Sequence, residues 1–248
     1  MINNQPILFF DSGIGGVSTL YSCYKLVPNQ PYLYYADEDN MPYGNKPKTK
    51  LVYSIKNTIK SLINQYNPKI VVLACNTATA LVVSYLRNKY KSIIFIGTEP
   101  ALVPAVKKHK NILLLATSNT IKNSKITNLT KRYFNVFCLC PQDLAYLIEN
   151  NLYTKKVVQE YLTKLLLPCK NKIDCVVLGC THYVFFKNYI KRLLKVEVID
   201  GNFGVSKRLK NLIKTFKMQA SVSGIKFLNK GKIYNRLVSA YLSFGGKK

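Results

Sequence analysis

Marked as hydrophobic and polar positions, the chain alternates between two kinds of segment. Short runs such as PILFF (6–10), KIVVLA (69–74), SIIFIG (92–97), NILLLAT (111–117) and IDCVVLG (173–179) are apolar at nearly every position, with the length and β-branched content of strands. PYLYYAD (31–37), VFCLC (136–140) and EVID (197–200) extend the series. Between them lie stretches with apolar residues at helical spacing. Val17, Leu20, Tyr21 and Tyr24 follow the turn DSGIGG, and Leu51, Ile55, Ile59, Leu62 and Ile63 share one face within 49–66. Asn67-Pro68 stops that helix, because the residue before a proline resists helical geometry. QDLAYLIEN (142–150), TKKVVQEYLTKLLL (154–167) and FFKNYIKRLLK (185–195) also read as helices.

Strands apolar on both faces that alternate with helices indicate parallel sheets. One segment occurs twice in closely related form: VVLACNT (71–77) and VVLGCTHY (176–183) each run from an apolar strand into a cysteine and hydrogen-bonding side chains. The echo predicts an α/β fold of two pseudo-symmetric parallel-sheet lobes. Ligands of such sheets bind beyond the strands' carboxyl ends. Cys75 and Cys180 are therefore expected on opposite sides of one cleft.

Composition narrows the function. An apolar fraction of 48% and a charged fraction of 19% over 248 residues are those of a globular protein. The apolar runs are much shorter than the roughly 20 residues of a membrane span, and MINNQPILFFDSG has no basic region of a secretory leader. A soluble cytoplasmic protein is expected. The net charge of +26 comes from lysines scattered from KPKTK (46–50) and VKKHK (106–110) to the final KK. It passes the first electrostatic test for nucleic acid, although no RNP motif, zinc finger or arginine-rich segment accompanies it. It also favours encounter with small anions.

Seven cysteines without a CxxC, and two distant histidines, give no common zinc spacing; no metal is expected. DSGIGG lacks the lysine of a phosphate-binding Walker loop, and Ser18 stands where the dinucleotide fingerprint needs its last glycine. The turn still offers backbone N–H groups at a helix N-terminus and the Ser12 hydroxyl; Asp11 before it is a candidate for catalysis or for helix capping. Cys23, Cys138, Cys140, Cys169 and Cys175 read as buried small hydrophobes. Cys75 and Cys180 differ, since each meets a helix N-terminus, a setting expected to lower a thiol's pKa. Asn76-Thr77 and Thr181-His182 after them can bind a carboxylate. Two matched thiols in matched lobes suggest two acid/base groups on opposite faces of one carbon.

DSGIGG (11–16), YYAD…MPYG (34–44), VVLACNTATA (71–80), GTEPA (97–101), VVLGCTHY (176–183) and the tail from VSGIKF to YLSFG (222–245) are similar, in order and approximate spacing, to the motifs of the cofactor-independent glutamate racemases. The resemblance covers essentially the whole chain. It implies an active site between lobes 1–98 (completed by 208–248) and 99–207, a homodimer, and interconversion of L- and D-glutamate for peptidoglycan without pyridoxal phosphate or other cofactor. It further implies that Cys75 acts on D-glutamate assisted by Asp11, and Cys180 on L-glutamate assisted by His182. Ser12, Tyr43, Gly44, Asn76, Thr77, Thr120 and Thr181 would hold the substrate with Asp11 and His182, and Glu149 corresponds to the family's catalytic glutamate. Val184 replaces the family's proline after the tyrosine of CTHY, and Gly201 its serine. A racemase of aspartate or another acidic amino acid is the nearest rival; a basic nucleic-acid-binding protein with a relict site is the rival of another class.

Overall fold

The computed structural model describes residues 4–44, 46–133, 135–152 and 154–247; Asn45 of the loop after the second predicted strand and the last lysine lie outside them. Two sheets carry the architecture. The first has the order β4–β3–β1–β2–β9, from β1 (Ile7–Asp11), β2 (Pro31–Ala36), β3 (Ile70–Leu73), β4 (Ile94–Gly97) and β9 (Gly224–Phe227). The second has the order β6–β5–β7–β8, from β5 (Ile112–Ala116), β6 (Val136–Leu139), β7 (Cys175–Gly179) and β8 (Glu197–Ile199). Every strand pair is parallel.

The continuous apolar runs follow from this arrangement. In β1, Ile7 and Phe9 enter one core and Leu8 and Phe10 the core on the other face. In β5, Leu113 and Leu115 face one core while Ile112, Leu114 and Ala116 face another. A parallel sheet covered on both sides leaves no face for polar residues.

Helices α1 (Val17–Leu26), α2 (Lys48–Tyr66) and α3 (Asn76–Lys89) belong to the first sheet's crossovers. Helix α2 buries the five residues its periodicity picks out, and Asn67 ends it in the left-handed conformation just ahead of Pro68. The second sheet carries α4 (Leu102–Val106), α5 (Ser118–Ile121), α6 (Ser124–Arg132), α7 (Leu144–Asn150), α8 (Lys155–Leu166) and α9 (Lys187–Leu194). Finally α10 (Asn202–Thr215) packs on α1, and α11 (Gly231–Ser243) follows β9 onto the first lobe.

Three expectations are corrected. Residues Thr181–Phe186 form a 3-10 segment, so α9 begins only at Lys187. Cys138 is exposed and Cys140 and Cys169 are half-buried, because β6 is an edge strand and Cys169 ends a surface turn. Strand β9 had no counterpart in the hydrophobic pattern. Val184 packs half-buried against the second lobe's core. Among the described residues no helix is long and apolar enough to cross a membrane.

Candidate active site

Strands β1 and β3 are neighbours in parallel register, Phe10 opposite Leu73, so Asp11, Ser12 and Cys75 emerge together at one sheet edge. Cys75 caps α3: its Sγ accepts from Ala78 N at 3.5 Å and lies 3.9 Å from Ser12 Oγ. The expected lowering of this thiol's pKa does not occur. Burial pushes the Cys75 thiol far up, the Asp11 charge adds to the effect, and the Ala78 amide and Ser12 hydroxyl offset little of it. A helix N-terminus contributes a partial charge, whereas desolvation acts on the whole of the thiolate's charge. Asp11 is fully buried too, and desolvation raises its carboxyl above the ordinary value despite hydrogen bonds from Gly13 and Thr181.

Cys180 follows the last residue of β7, and His182 Nδ1 lies 3.9 Å from its Sγ. The other ring nitrogen, Nε2, meets Glu149 Oε2 at 2.6 Å. Burial alone would depress the imidazole's pKa. Its hydrogen bond to Cys180 and the charges of Cys180 and Asp11 outweigh that, and the net direction is upward. Glu149, 4% exposed on α7, also accepts from Ile14 N at 3.0 Å and pairs through Oε1 with Arg236 Nη2 on α11.

The glycine turn is thus an anion site of an unforeseen kind. Its amides serve the protein's own carboxylates: Gly13 N donates to Asp11 Oδ1 at 3.0 Å, and Ile14 N to Glu149. Asp11 is not the cap of α1, whose N-cap is Gly16 without a side-chain bond. A Cβ at Gly13 would fall on the Glu149 carboxylate, and one at Gly15 would come within 2.6 Å of His182 Nδ1. The glycines let the second lobe's side chains reach the first lobe's backbone.

Between the lobes, both thiols line one cavity of about 10 Å³. Ser12, Tyr43, Gly44, Asn76, Thr77, Thr181 and His182 line it as expected, while Asp11, Thr120 and Glu149 are absent from its wall. Thr117, at the carboxyl end of β5, is a wall residue the sequence reading missed; the strand-end rule that selected the cysteines would have found it. Its hydroxyl joins Thr77 and Thr120, each at 2.9 Å. Asn76 Oδ1 is buried with no hydrogen-bond partner among the described residues. Asn119 of α5 also escaped notice: its Nδ2 donates across the cleft to the carbonyls of Tyr43 at 3.0 Å and Lys46 at 3.2 Å. No group of three His, Cys, Asp or Glu among the described residues is arranged to hold a metal ion.

Comparison with known proteins agrees with this geometry. The model of the Asp/Glu/Hydantoin racemase family matches residues 25–203. The chain is 37% identical over 234 residues to the glutamate racemase of Clostridium botulinum (strain Alaska E43 / Type E3), covering 89% of this chain and 90% of that one. It superposes with a TM-score of 0.84 on the Escherichia coli glutamate racemase solved with L-glutamate and an activator, at 25% identity, 98% coverage of this chain and 96% of that one. The Francisella tularensis glutamate racemase solved with D-glutamate gives 0.81 at 25% identity, with coverages of 98% and 95%. A family match over most of the chain, joined to two cysteines facing one interlobe cavity, places the protein in the Asp/Glu/Hydantoin racemase family of isomerases.

Proposed function

We propose that this protein racemises glutamate by proton transfer between two thiols, as a cytoplasmic enzyme supplying D-glutamate for peptidoglycan. The observation that carries the reading is the pairing of Cys75 and Cys180 in one cavity, each with its own partner behind it. Asp11 receives the Cys75 proton and His182 the Cys180 proton, so either sulfur can become the thiolate base. With D-glutamate bound, the Cys75 thiolate removes the α-proton from one face and the Cys180 thiol delivers its own to the other. The electron pair left by the broken C–H bond passes into the adjacent carboxylate and returns to the new C–H bond. Each turnover therefore leaves the two sulfurs with their proton states exchanged.

An amino-acid α-proton is far less acidic than a thiol, so the wall must stabilise the charge that develops on the carboxylate. The hydroxyls of Ser12 and Thr77 are donors for that carboxylate, and the unpartnered Asn76 Oδ1 suits the ammonium group. In this reading residues 1–98 with 208–248 form one lobe and 99–207 the other. A 10 Å³ cavity is the size of about one water, so the lobes part to admit the substrate and close around it.

The test is solvent deuterium incorporation at Cα with Cys75→Ser and Cys180→Ser, made separately, on glutamate and aspartate. Each variant should lose at least ~10²-fold in racemisation, the usual scale for a proton-transfer group. Cys180→Ser should keep exchange without inversion for D-glutamate only, and Cys75→Ser for L-glutamate only. Parent-level racemisation in both variants would sink the two-thiol mechanism, and incorporation with aspartate alone would remove the glutamate assignment.

A further inference from the structure

The geometry points to Arg236, on α11, as a positioning residue that fixes the tautomer and proton affinity of His182 through Glu149, and thereby readies Cys180. The inference rests on the two-thiol reading for its kinetic consequence, not for its structural one.

The four side chains form a line. Arg236 Nη2 holds Glu149 Oε1, Glu149 Oε2 holds His182 Nε2 at 2.6 Å, and His182 Nδ1 faces Cys180 Sγ at 3.9 Å. With Nε2 donating to a carboxylate, a neutral imidazole carries its lone pair on Nδ1, the atom turned to the thiol. Both carboxylate oxygens are engaged, and the Ile14 amide adds a further bond to Oε2. The tautomer is held for as long as Glu149 is held.

The charges matter as much as the angles. Glu149 is 4% exposed, and a carboxylate at that depth needs a compensating cation. Arg236 supplies it from the first lobe. Without it, Glu149 would face His182 alone and hold the ring as an imidazolium, which cannot accept the thiol's proton. Among the described residues, the other titratable groups that act on the ring or share its cavity are Asp11 from β1, Cys180 from the segment after β7, and Cys75 across the cavity. Glu38, in the short turn after β2, acts on Arg236 from outside and favours its charged form, against a burial that lowers it. Only Arg236 brings positive charge to Glu149 in this set.

With two histidines in the chain, ¹⁵N-histidine labelling of the full-length protein in a His109→Gln background reports His182 alone. The parent should show the Nε2–H tautomer. Arg236→Gln should raise the His182 titration by about one pH unit or more, the scale of a lost neighbouring charge, and move the acid limb of kcat/KM upward with it; Arg236→Lys should restore most of both. If tautomer and titration in Arg236→Gln match the parent, the inference falls. A titration that moves while the kinetic limb stays put leaves Arg236's hold on the ring standing and counts against the two-thiol reading. Should Arg236→Gln fail to fold, Glu149→Gln removes the opposite, carboxylate charge of the pair and must shift the titration downward; an unshifted value overturns the proposal.

Discussion

Thr181 donates a hydrogen bond from its hydroxyl to Asp11 Oδ2 at 3.2 Å, joining the residue after one cysteine to the carboxylate beside the other. The bond crosses the cleft and ends on a carboxyl that burial holds above its ordinary pKa. A group whose folded pKa exceeds its unfolded value stabilises the fold below the unfolded value and loses that contribution as pH rises through the folded one. At neutral pH an ionised Asp11 therefore costs stability. Asp11→Asn keeps an oxygen for Gly13 N and should raise the thermal midpoint by a few degrees at pH 7, with the difference closing near pH 4. Racemisation should fall ~10²-fold or more. Calorimetry beside a racemisation assay checks both; a lower midpoint at pH 7 would refute the electrostatic account.

Gly13→Ala should destabilise by about 1–3 kcal/mol, the usual cost of forcing an atom into packed space. The added methyl would fall on Glu149, which His182, Ile14 and Arg236 prevent from yielding. Gly204→Ala is the control: its Cβ meets nothing within 4 Å on α10, and a helical Ala should be neutral or better by up to about 1 kcal/mol. Urea unfolding of both variants decides the matter, and equal midpoints would show that the turn tolerates a side chain.

Asn119→Ala should raise KM for glutamate by about fivefold to tenfold and lower kcat much less. Its amide ties the second lobe to the carbonyls of Tyr43 and Lys46, so its loss reduces the closed fraction, and apparent affinity falls in proportion. Steady-state kinetics in both directions test this; a fall in kcat at constant KM would assign Asn119 a different part.

At pH 7 iodoacetamide should label Cys138 well before Cys75. Cys138 is exposed, while Cys75 is buried with its thiol pushed far up, so its thiolate is scarce. Peptide mass spectrometry against time gives the order, and early Cys75 labelling would contradict a neutral resting thiol.

The strands were legible because a run such as ILLLA must satisfy two cores at once, leaving a signature that local sequence alone carries. The cysteines were legible because a strand end is where such a fold exposes chemistry. Strand β9 was not: GIKF is short, half-buried, carries a lysine and starts at a glycine with φ 126°, all marks of a loop. DSGIGG reads as a turn with free amides for a small anionic ligand, whereas the Gly13 and Ile14 amides are taken by Asp11 and Glu149, and nothing local could name Glu149. Arg236 lies in an amphipathic helix like many other cations, and its importance depends on a contact with α7 far away in the chain. The thiol's direction was misjudged for a related reason, since burial at Cys75 is a property of both lobes together.

Strand β9 bears on the order in which the molecule can assemble. It lies on the outer side of β2, so during synthesis β2 has an uncovered edge until the chain has been made through Phe227. The second sheet is contiguous from Ile112 to Ile199 and has no such wait. The lobe whose strands are made first is thus the last to be finished, and meanwhile the tyrosine-rich β2 presents unpaired amides open to a wrong neighbour. The same late segment brings Arg236, so edge protection and the charge opposite Glu149 arrive together.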